Sequence, residues 1–404
     1  MRILALSTWW PEPADNGIKL RLSRLLRALA TSHEVHLLAL CRDMPDTADQ
    51  HLPLHYCATA RAEPAPMTPL RAGSRLTSLW HPRPASVRAA WSARFATLTR
   101  QSARTLDPDV VVAFELSSAP YALLIPHVPR LLDDLEMAAL HDEFTNSTGR
   151  QRLRRWLTWA KHRSYVRQVL RGFSSCTTVS AREATLARRL APTMTQMEVL
   201  PNGADVEGTL PLPPEPNTLI YPGALSYQAN HDAMRYFLGQ IFPQVRSMHP
   251  ATRLRITGRA TAAQIAALPA CEGVEFTGFV PDIKALVARS WAEVVPLREG
   301  SGTRLKILEA LALGTPVIST TKGAEGLDLS PGRDLLIADT PAAFAETTVR
   351  LLTHPEERAR LSANGRRAVA ERYDWRAIGT RFVALVETTA THKKLTYDTR
   401  IHSA

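Results

Sequence analysis

The chain has 404 residues, 45% apolar and 22% charged. That is ordinary globular usage, which excludes a disordered, collagenous or coiled-coil protein, and at roughly 150 residues per domain it predicts two or three domains. Lys and Arg outnumber Asp and Glu 49 to 38, for a net charge of +11. Residues 1–200 hold 26 basic and 17 acidic side chains and residues 201–404 hold 23 and 21, so the first half is expected to meet something anionic.

The chain opens on Arg2-Ile-Leu-Ala-Leu-Ser7, a short apolar run that suits a buried parallel strand. The turn-like Pro11–Gly17 follows. Leu22, Leu25, Leu26 and Leu29 then recur at helical spacing among Lys19, Arg21, Arg24 and Arg27, an amphipathic helix. Val35–Leu40 is the next strand, which makes a βαβ unit, the seed of a doubly wound sheet. Residues 58–90, rich in Pro, Arg and Ala, read as loop or irregular helix. Asp109–Phe114, Arg130–Asp133 and Ser174–Ser180 read as further strands. Residues 201–218 carry five prolines and read as an interdomain linker. A second series of strands follows at Leu219–Gly223, Arg253–Gly258, Val274–Gly278, Trp291–Pro296 and Pro316–Ser319, with helical patterns between them. The tail from residue 393 reads as polar and frayed.

Cys41, Cys57, Cys176 and Cys271 form no C-x-x-C pair and read as thiols of a reducing compartment. The first residues carry no basic leader with a long apolar core, and no run reaches about 18 uncharged apolar residues. The expectation is a cytoplasmic protein, peripheral at most on the inner face of the cell membrane. The single D-x-D, Asp107-Pro-Asp109, precedes a buried strand and reads as a turn.

The most informative stretch is Pro296-Leu-Arg-Glu-Gly-Ser-Gly-Thr-Arg-Leu-Lys-Ile-Leu-Glu309. Gly300 and Gly302 let the backbone turn tightly and approach a ligand, and Ser301 or Thr303 is expected to cap the helix that runs to Gly314. A glycine loop at a helix N-terminus is an anion site. Arg304 and Lys306 in the first turn oppose the helix dipole, and a bound diphosphate explains them. Glu309 stands where it can accept hydrogen bonds from ribose hydroxyls. The competing reading is a plain helix start with solvated charges.

Pro201-Asn-Gly203, Tyr221–Asn230, Gly278-Phe-Val-Pro-Asp282, Gly300–Ala310, Gly314–Ser319 and Gly323-Ala-Glu-Gly326 occur in this order. On these segments the chain resembles a family-4 glycosyltransferase of the GT-B fold, of the retaining branch found in bacterial polysaccharide and glycolipid assembly. The resemblance implies an α/β protein of two Rossmann-like doubly wound domains facing across a cleft. The acceptor domain spans 1–200, the linker 201–218 and the donor domain 219–375, with 376–404 a C-terminal helix returning to the first domain and a frayed tail. It implies transfer of a sugar from a nucleotide-diphosphate sugar to a glycan or lipid-linked acceptor, with no metal and no cofactor.

The implied donor-binding residues are Gly17, Gly223, Asn230, Gly258, Arg259, Phe279, Val280, Gly300, Ser301, Gly302, Thr303 and Glu309. Glu309 matches the second glutamate of the family's E-x7-E motif. The first falls on Ser301, a departure that Glu299, two residues off, does not repair. The Arg and Lys that many members carry after the first donor-domain strand are missing from Gly223–Asn230, so Arg304 and Lys306 are assigned to the diphosphate. On the acceptor side the family's usual histidine is replaced by Leu131-Leu-Asp-Asp-Leu-Glu136. Asp133, Asp134 or Glu136 is expected to orient the acceptor hydroxyl or take its proton, with helix capping the alternative, and Asp134 and Glu136 are the chosen pair. His141 and His231 read as surface or structural.

Residues 144–182 contain nine basic and no acidic side chains. Arg154, Arg155, Trp156 and Trp159 suit an interfacial helix on an anionic membrane, against the reading that the tryptophans belong to the core. No recognition helix or RNA-binding signature accompanies the positive charge, so nucleic acid is not expected as a partner. The alternatives are a sugar-nucleotide epimerase-like protein of the same fold or a catalytically weak homologue.

Overall fold

A computed structural model describes residues 1–41, 54–66, 81, 83–206, 213–300 and 302–391. The chain divides into two units. Residues 1–201 and the C-terminal helix from Arg376 form unit one, and Asn202–Trp375 form unit two.

Unit one is built on strands β1 (Arg2–Ser7), β2 (Glu34–Cys41), β3 (Thr59–Pro64), β4 (Val110–Phe114), β5 (Arg130–Asp133), β6 (Ser175–Thr178) and β7 (Gln196–Val199), in the order β3-β2-β1-β4-β5-β6-β7. Every described pairing is parallel. Ile3, Leu4, Ala5 and Leu6 are fully buried, as are Val110 to Ala113, which is why these strands read as unbroken apolar runs. Each such isoleucine, leucine or valine side chain contributes about 1.5–3 kcal/mol on leaving water. Helix Gly17–Ala30 starts at Asn16, whose Oδ1 accepts from the Lys19 amide at 3.1 Å, and buries Leu22, Leu25, Leu26 and Leu29.

The expectation of loop or irregular helix through residues 58–90 is corrected at Thr59–Pro64, which is the edge strand β3; Ala85–Ala89 is a short helix, and residues 67–80 and 82 lie outside the described residues. Arg61, Glu63 and Pro64 hide the strand signal, and Glu63 is buried through ion pairs with Arg61 and Arg94.

Helix Trp375–Thr391 is fastened to unit one from several sides. Arg381 pairs with Glu198 at 2.7 Å, the Thr389 and Ser175 hydroxyls lie 2.7 Å apart, and Glu387 meets His33 at 3.1 Å. Gly379 packs so closely that a Cβ there would lie 2.8 Å from the Cβ of Ala28.

Unit two repeats the plan with β8 (Glu215–Pro222), β9 (Arg253–Thr257), β10 (Val274–Gly278), β11 (Ser290–Val295), β12 (Val317–Ser319) and β13 (Leu336–Ile337), ordered β10-β9-β8-β11-β12-β13 and parallel. Residues 215–218 of the expected linker are therefore strand. Between β8 and β9 the helical path includes a π-turn at Phe237–Ile241, just before Pro243. Proline has no amide to donate back, and the ladder steps over it. Two core clusters, one per unit, lie between the sheets and their helices.

Candidate functional site

In unit two the strand order reverses at β8, whose neighbours are β9 and β11. Ligands of doubly wound sheets sit beyond the C-terminal strand ends at such a point. Gly223, Gly258 and the Pro296–Arg304 loop stand there. Gly258 has φ +106°, and a Cβ on it would lie 2.8 Å from the Gly223 carbonyl carbon and the Ala224 nitrogen. Gly300 and Gly302, at φ +106° and +84°, turn the loop.

The two expected cations lie against glycine backbone. A Cβ on Gly223 would stand 2.9 Å from Lys306 Nζ and 2.8 Å from Asn230 Nδ2, and one on Gly300 would stand 3.4 Å from Arg304 Nη1 and from the Tyr227 hydroxyl. Lys306 Nζ donates to Asn230 Oδ1 at 3.3 Å and sits 4.0 Å from the centroid of the Tyr221 ring. The Tyr221 hydroxyl donates to the same Oδ1 at 2.8 Å, and Asn230 Nδ2 donates to the Ala224 carbonyl at 2.9 Å. The amide is thus oriented from both ends.

Helix Leu305–Ala312 has Arg304 at its N-cap with no side-chain cap bond. The expected cap from Ser301 or Thr303 is corrected: Thr303 stays in the loop, and Ser301 lies outside the described residues. The amides of Leu305 and Ile307 donate to the carbonyls of Thr303 and Arg304, each at 3.0 Å, so the anion-binding capacity of this terminus rests mainly on its two cations and the helix dipole.

Burial is the largest influence on Lys306 and brings its ammonium down to about 8, with Arg304 adding to the lowering and Glu293 and Glu309 opposing it. Glu309 is raised by burial, against Lys284 and Lys306. Arg259 stacks its guanidinium 5.3 Å from the ring of Phe279, which is 62% exposed; Val280 beside it is half-buried. Glu299 is exposed.

In unit one, acidic residues stand at the ends of two adjacent strands, Glu115 just past β4 and Asp133 closing β5. Arg21 grips Asp133 through Nε (2.8 Å) and Nη2 (2.7 Å), both side chains being buried, and Thr177 donates to the same carboxylate at 2.6 Å. Asp133 is therefore a structural anchor. Asp134 follows with φ +60°, its amide donating to Thr177 Oγ1 at 3.0 Å. Glu115, one residue past β4, has φ +67° and accepts from Ser117 at 3.1 Å and Thr8 at 3.3 Å. Left-handed backbone at two non-glycine residues on adjacent strand ends costs about 1–3 kcal/mol each and marks sites under functional constraint. Asp134 Oδ1 and Glu115 Oε1 are buried without a hydrogen-bond partner among the described residues. Burial, and then the other's charge, push Glu115 up to about 8. Burial pushes Asp134 up to about 7, with Glu136 and Asp133 adding and Arg21 opposing. Glu136 is exposed. Gly17 is the first residue of its helix and half-buried.

A family model described as "Glycosyl transferases group 1" matches residues 216–354, and one described as "Glycosyl transferase 4-like domain" matches residues 16–203. The chain belongs to the group 1 and 4-like glycosyltransferases. It is 29% identical over 204 residues to the phosphatidyl-myo-inositol mannosyltransferase of Mycobacterium leprae, across 48% of this chain and 54% of that protein. It thus spans about half the length of that curated relative. Among solved structures, sucrose-phosphate synthase from Thermosynechococcus elongatus superposes with a TM-score of 0.71 at 16% identity, covering 96% of this chain and 99% of that one. Anabaena HepE in complex with UDP-glucose superposes with a TM-score of 0.65 at 16% identity, covering 96% and 100%. These likenesses show the GT-B fold of two Rossmann-like α/β domains.

Two ionisable residues of this glycosyltransferase were not read from its sequence. Glu115 closes the apolar run Val110–Phe114, and Glu293 stands inside Trp291-Ala-Glu-Val-Val295. A lone acid within or ending a buried run was the available signal. The basic segment forms helix Gly149–Leu170. Its two tryptophans part company: Trp159 is a core residue at 7% exposure, which corrects its assignment to a membrane face, whereas Trp156 is 47% exposed beside Leu153 at 64% and Leu157 at 41%. Arg154 is exposed, and Arg155 pairs with Glu143 at 3.5 Å. No helix among the described residues is long and apolar enough to cross a membrane.

Proposed function

We propose that this glycosyltransferase moves a sugar from a nucleoside-diphosphate sugar to a hydroxyl of a glycan or lipid-linked acceptor, with retention of configuration and without a metal ion. The observation that carries the reading is the pair of cations laid against Gly223 and Gly300 beside an uncapped helix N-terminus. Departure of the nucleoside diphosphate develops negative charge on its terminal phosphate, and fixed donors in a desolvated site stabilise that charge most. Lys306 and Arg304 supply those donors, at the positive end of helix Leu305–Ala312. Asn230 and Tyr221 hold Lys306 in place beforehand, so little reorganisation accompanies the reaction. Glu309 takes the ribose hydroxyls. Phe279 and Val280, with Arg259, flank the base.

On the acceptor side Asp134, with Glu115 beside it and Glu136 near, receives the attacking hydroxyl. A carboxyl poised near neutral pH can accept a hydroxyl proton as the new bond forms. The relatives that act on phosphatidyl-myo-inositol support a lipid-linked acceptor, and the exposed Leu153, Trp156 and Leu157 among arginines support docking on an anionic membrane. The neighbour holding UDP-glucose supports a nucleotide-sugar donor.

A thermal-shift and calorimetric screen of the full chain against UDP, GDP, ADP and their hexose conjugates tests the reading. Saturable binding of one nucleotide, with slow release of free sugar from its conjugate, is expected. Binding to none of them would overturn it.

A further inference from the structure

Glu293 takes no part in the donor chemistry assigned above, yet it is an expensive residue to keep where it is. Its side chain is fully buried in β11, two residues inside the strand's C-terminal end, with Ile220 of β8 and Val317 of β12 as its register partners. Neither carboxyl oxygen has a hydrogen-bond partner among the described residues. Buried carboxyls are otherwise hydrogen-bonded or ion-paired, and an apolar residue would serve the strand better.

The ionisable groups acting on it are few. Lys306 and Glu309 of helix Leu305–Ala312 act on it through charge alone, and it acts on the Tyr221 phenol of β8; Arg304, at the head of that helix, acts on Lys306 and Tyr221. Among them Lys306 is the group that favours the carboxylate form, and its ammonium is already fixed at the Gly223 edge by Asn230 and the Tyr221 face.

We propose that Glu293 is the proton-binding group of the donor site: its carboxylate balances the Lys306 ammonium in the empty site, and it takes up a proton when a nucleoside diphosphate assumes that balance. The inference rests on the nucleotide-diphosphate reading of unit two. Two anions then compete for one ammonium. The diphosphate also has Arg304 and the positive end of the helix, whereas Glu293 has only Lys306 and a dry strand interior. Burial and Glu309 already hold the Glu293 carboxyl well above the usual carboxylate range, so it is the anion that yields. An O–H bond forms on Glu293 with a proton drawn from the buffer, and no bond in the nucleotide changes. Nucleotide binding is therefore accompanied by net proton uptake and strengthens as pH falls through the range in which Glu293 titrates.

Titration calorimetry of the full chain with UDP, GDP and ADP near pH 7.5, in buffers of low and high ionisation enthalpy, counts the protons. Wild type is expected to take up a substantial fraction of one proton per nucleotide bound. Glu293→Gln keeps the shape and removes the titration, and its uptake is expected to fall below about half the wild-type value while binding persists. Lys306→Arg places a permanent cation in the pair, so uptake that survives there belongs to Glu293. Wild-type binding without uptake, unchanged uptake in Glu293→Gln, or loss of uptake in Lys306→Arg alone would each overturn the proposal and leave the donor reading standing. Binding of none of the three nucleotides would overturn the donor reading, and this inference with it.

Discussion

Lys306 occupies the space that a side chain on Gly223 would need: its Nζ lies 2.9 Å from the position of a Cβ there. The glycine is thus required by the lysine, not by its own backbone torsions, which are not left-handed. Gly223→Ala is expected to push Lys306 and Asn230 aside. A misplacement of about 1 Å costs on the order of 100-fold in rate, so kcat/KM for the donor should drop about that far, with circular dichroism unchanged. A variant with wild-type kinetics would mean that Lys306 does not hold the phosphate from where it stands.

Removing either cation should act on turnover more than on nucleotide affinity. Lys306→Ala and Arg304→Ala are each expected to lower kcat about 100- to 1,000-fold, the range seen when one fixed donor to a developing anion is deleted. Steady-state kinetics on donor hydrolysis or transfer checks this. Near-normal kcat in both variants would remove them from the mechanism.

Glu115 and Asp134 make folding stability depend on pH in a direction opposite to most carboxylates. In the folded chain they hold protons up to about 8 and about 7; in the unfolded chain carboxyls release them near 4. Between about pH 4 and 8 the folded state therefore binds more protons, and stability falls as pH rises through that window. The double variant Glu115→Gln, Asp134→Asn should show a flatter Tm between pH 5 and pH 8, by roughly 2–4 °C for each kcal/mol recovered at the upper end. A wild-type Tm that rises steadily from pH 5 to pH 8, unchanged in slope by the double variant, would contradict the assignment.

The two tryptophans of helix Gly149–Leu170 should separate stability from membrane binding. Trp159→Ala empties a core position and is expected to cost about 3–5 kcal/mol. Trp156→Ala is expected to leave stability within about 0.5 kcal/mol and to weaken binding to phosphatidylglycerol-containing vesicles at low salt, a binding that high salt also abolishes. Equal vesicle binding by wild type and Trp156→Ala, measured by co-sedimentation, would assign the exposed patch elsewhere.

The fold was largely legible because buried parallel strands are continuous apolar runs, and Arg2–Ser7 and Val110–Phe114 announce themselves. Thr59–Pro64 did not, since an edge strand paired only with β2 tolerates Arg61, Glu63 and Pro64. The glycine loop and its cations were legible from spacing alone. The contribution of Asn230 to holding Lys306 was not, because it depends on Tyr221 and Ala224 converging on one amide from different elements. Asp133 and Asp134 are adjacent in sequence, and only Arg21, 112 residues from Asp133, decides which of them is consumed in an ion pair. Trp156 and Trp159 lie three residues apart among arginines, and the sequence does not separate them; packing buries one and leaves the other exposed.

The helix Trp375–Thr391 belongs to unit one although it follows the whole of unit two. The ends of unit two are also tied to each other: the Ala204 amide donates to the Tyr373 carbonyl at 2.8 Å, and Ala204 bridges Asp374. In topological terms unit two is a guest sequence spliced into a host, with its entry and exit stitched side by side. Such an insert can in principle be lifted out as residues 202–375, whereas cutting the chain after Trp375 takes from the host the helix that covers Ala28, Ser175 and Glu198.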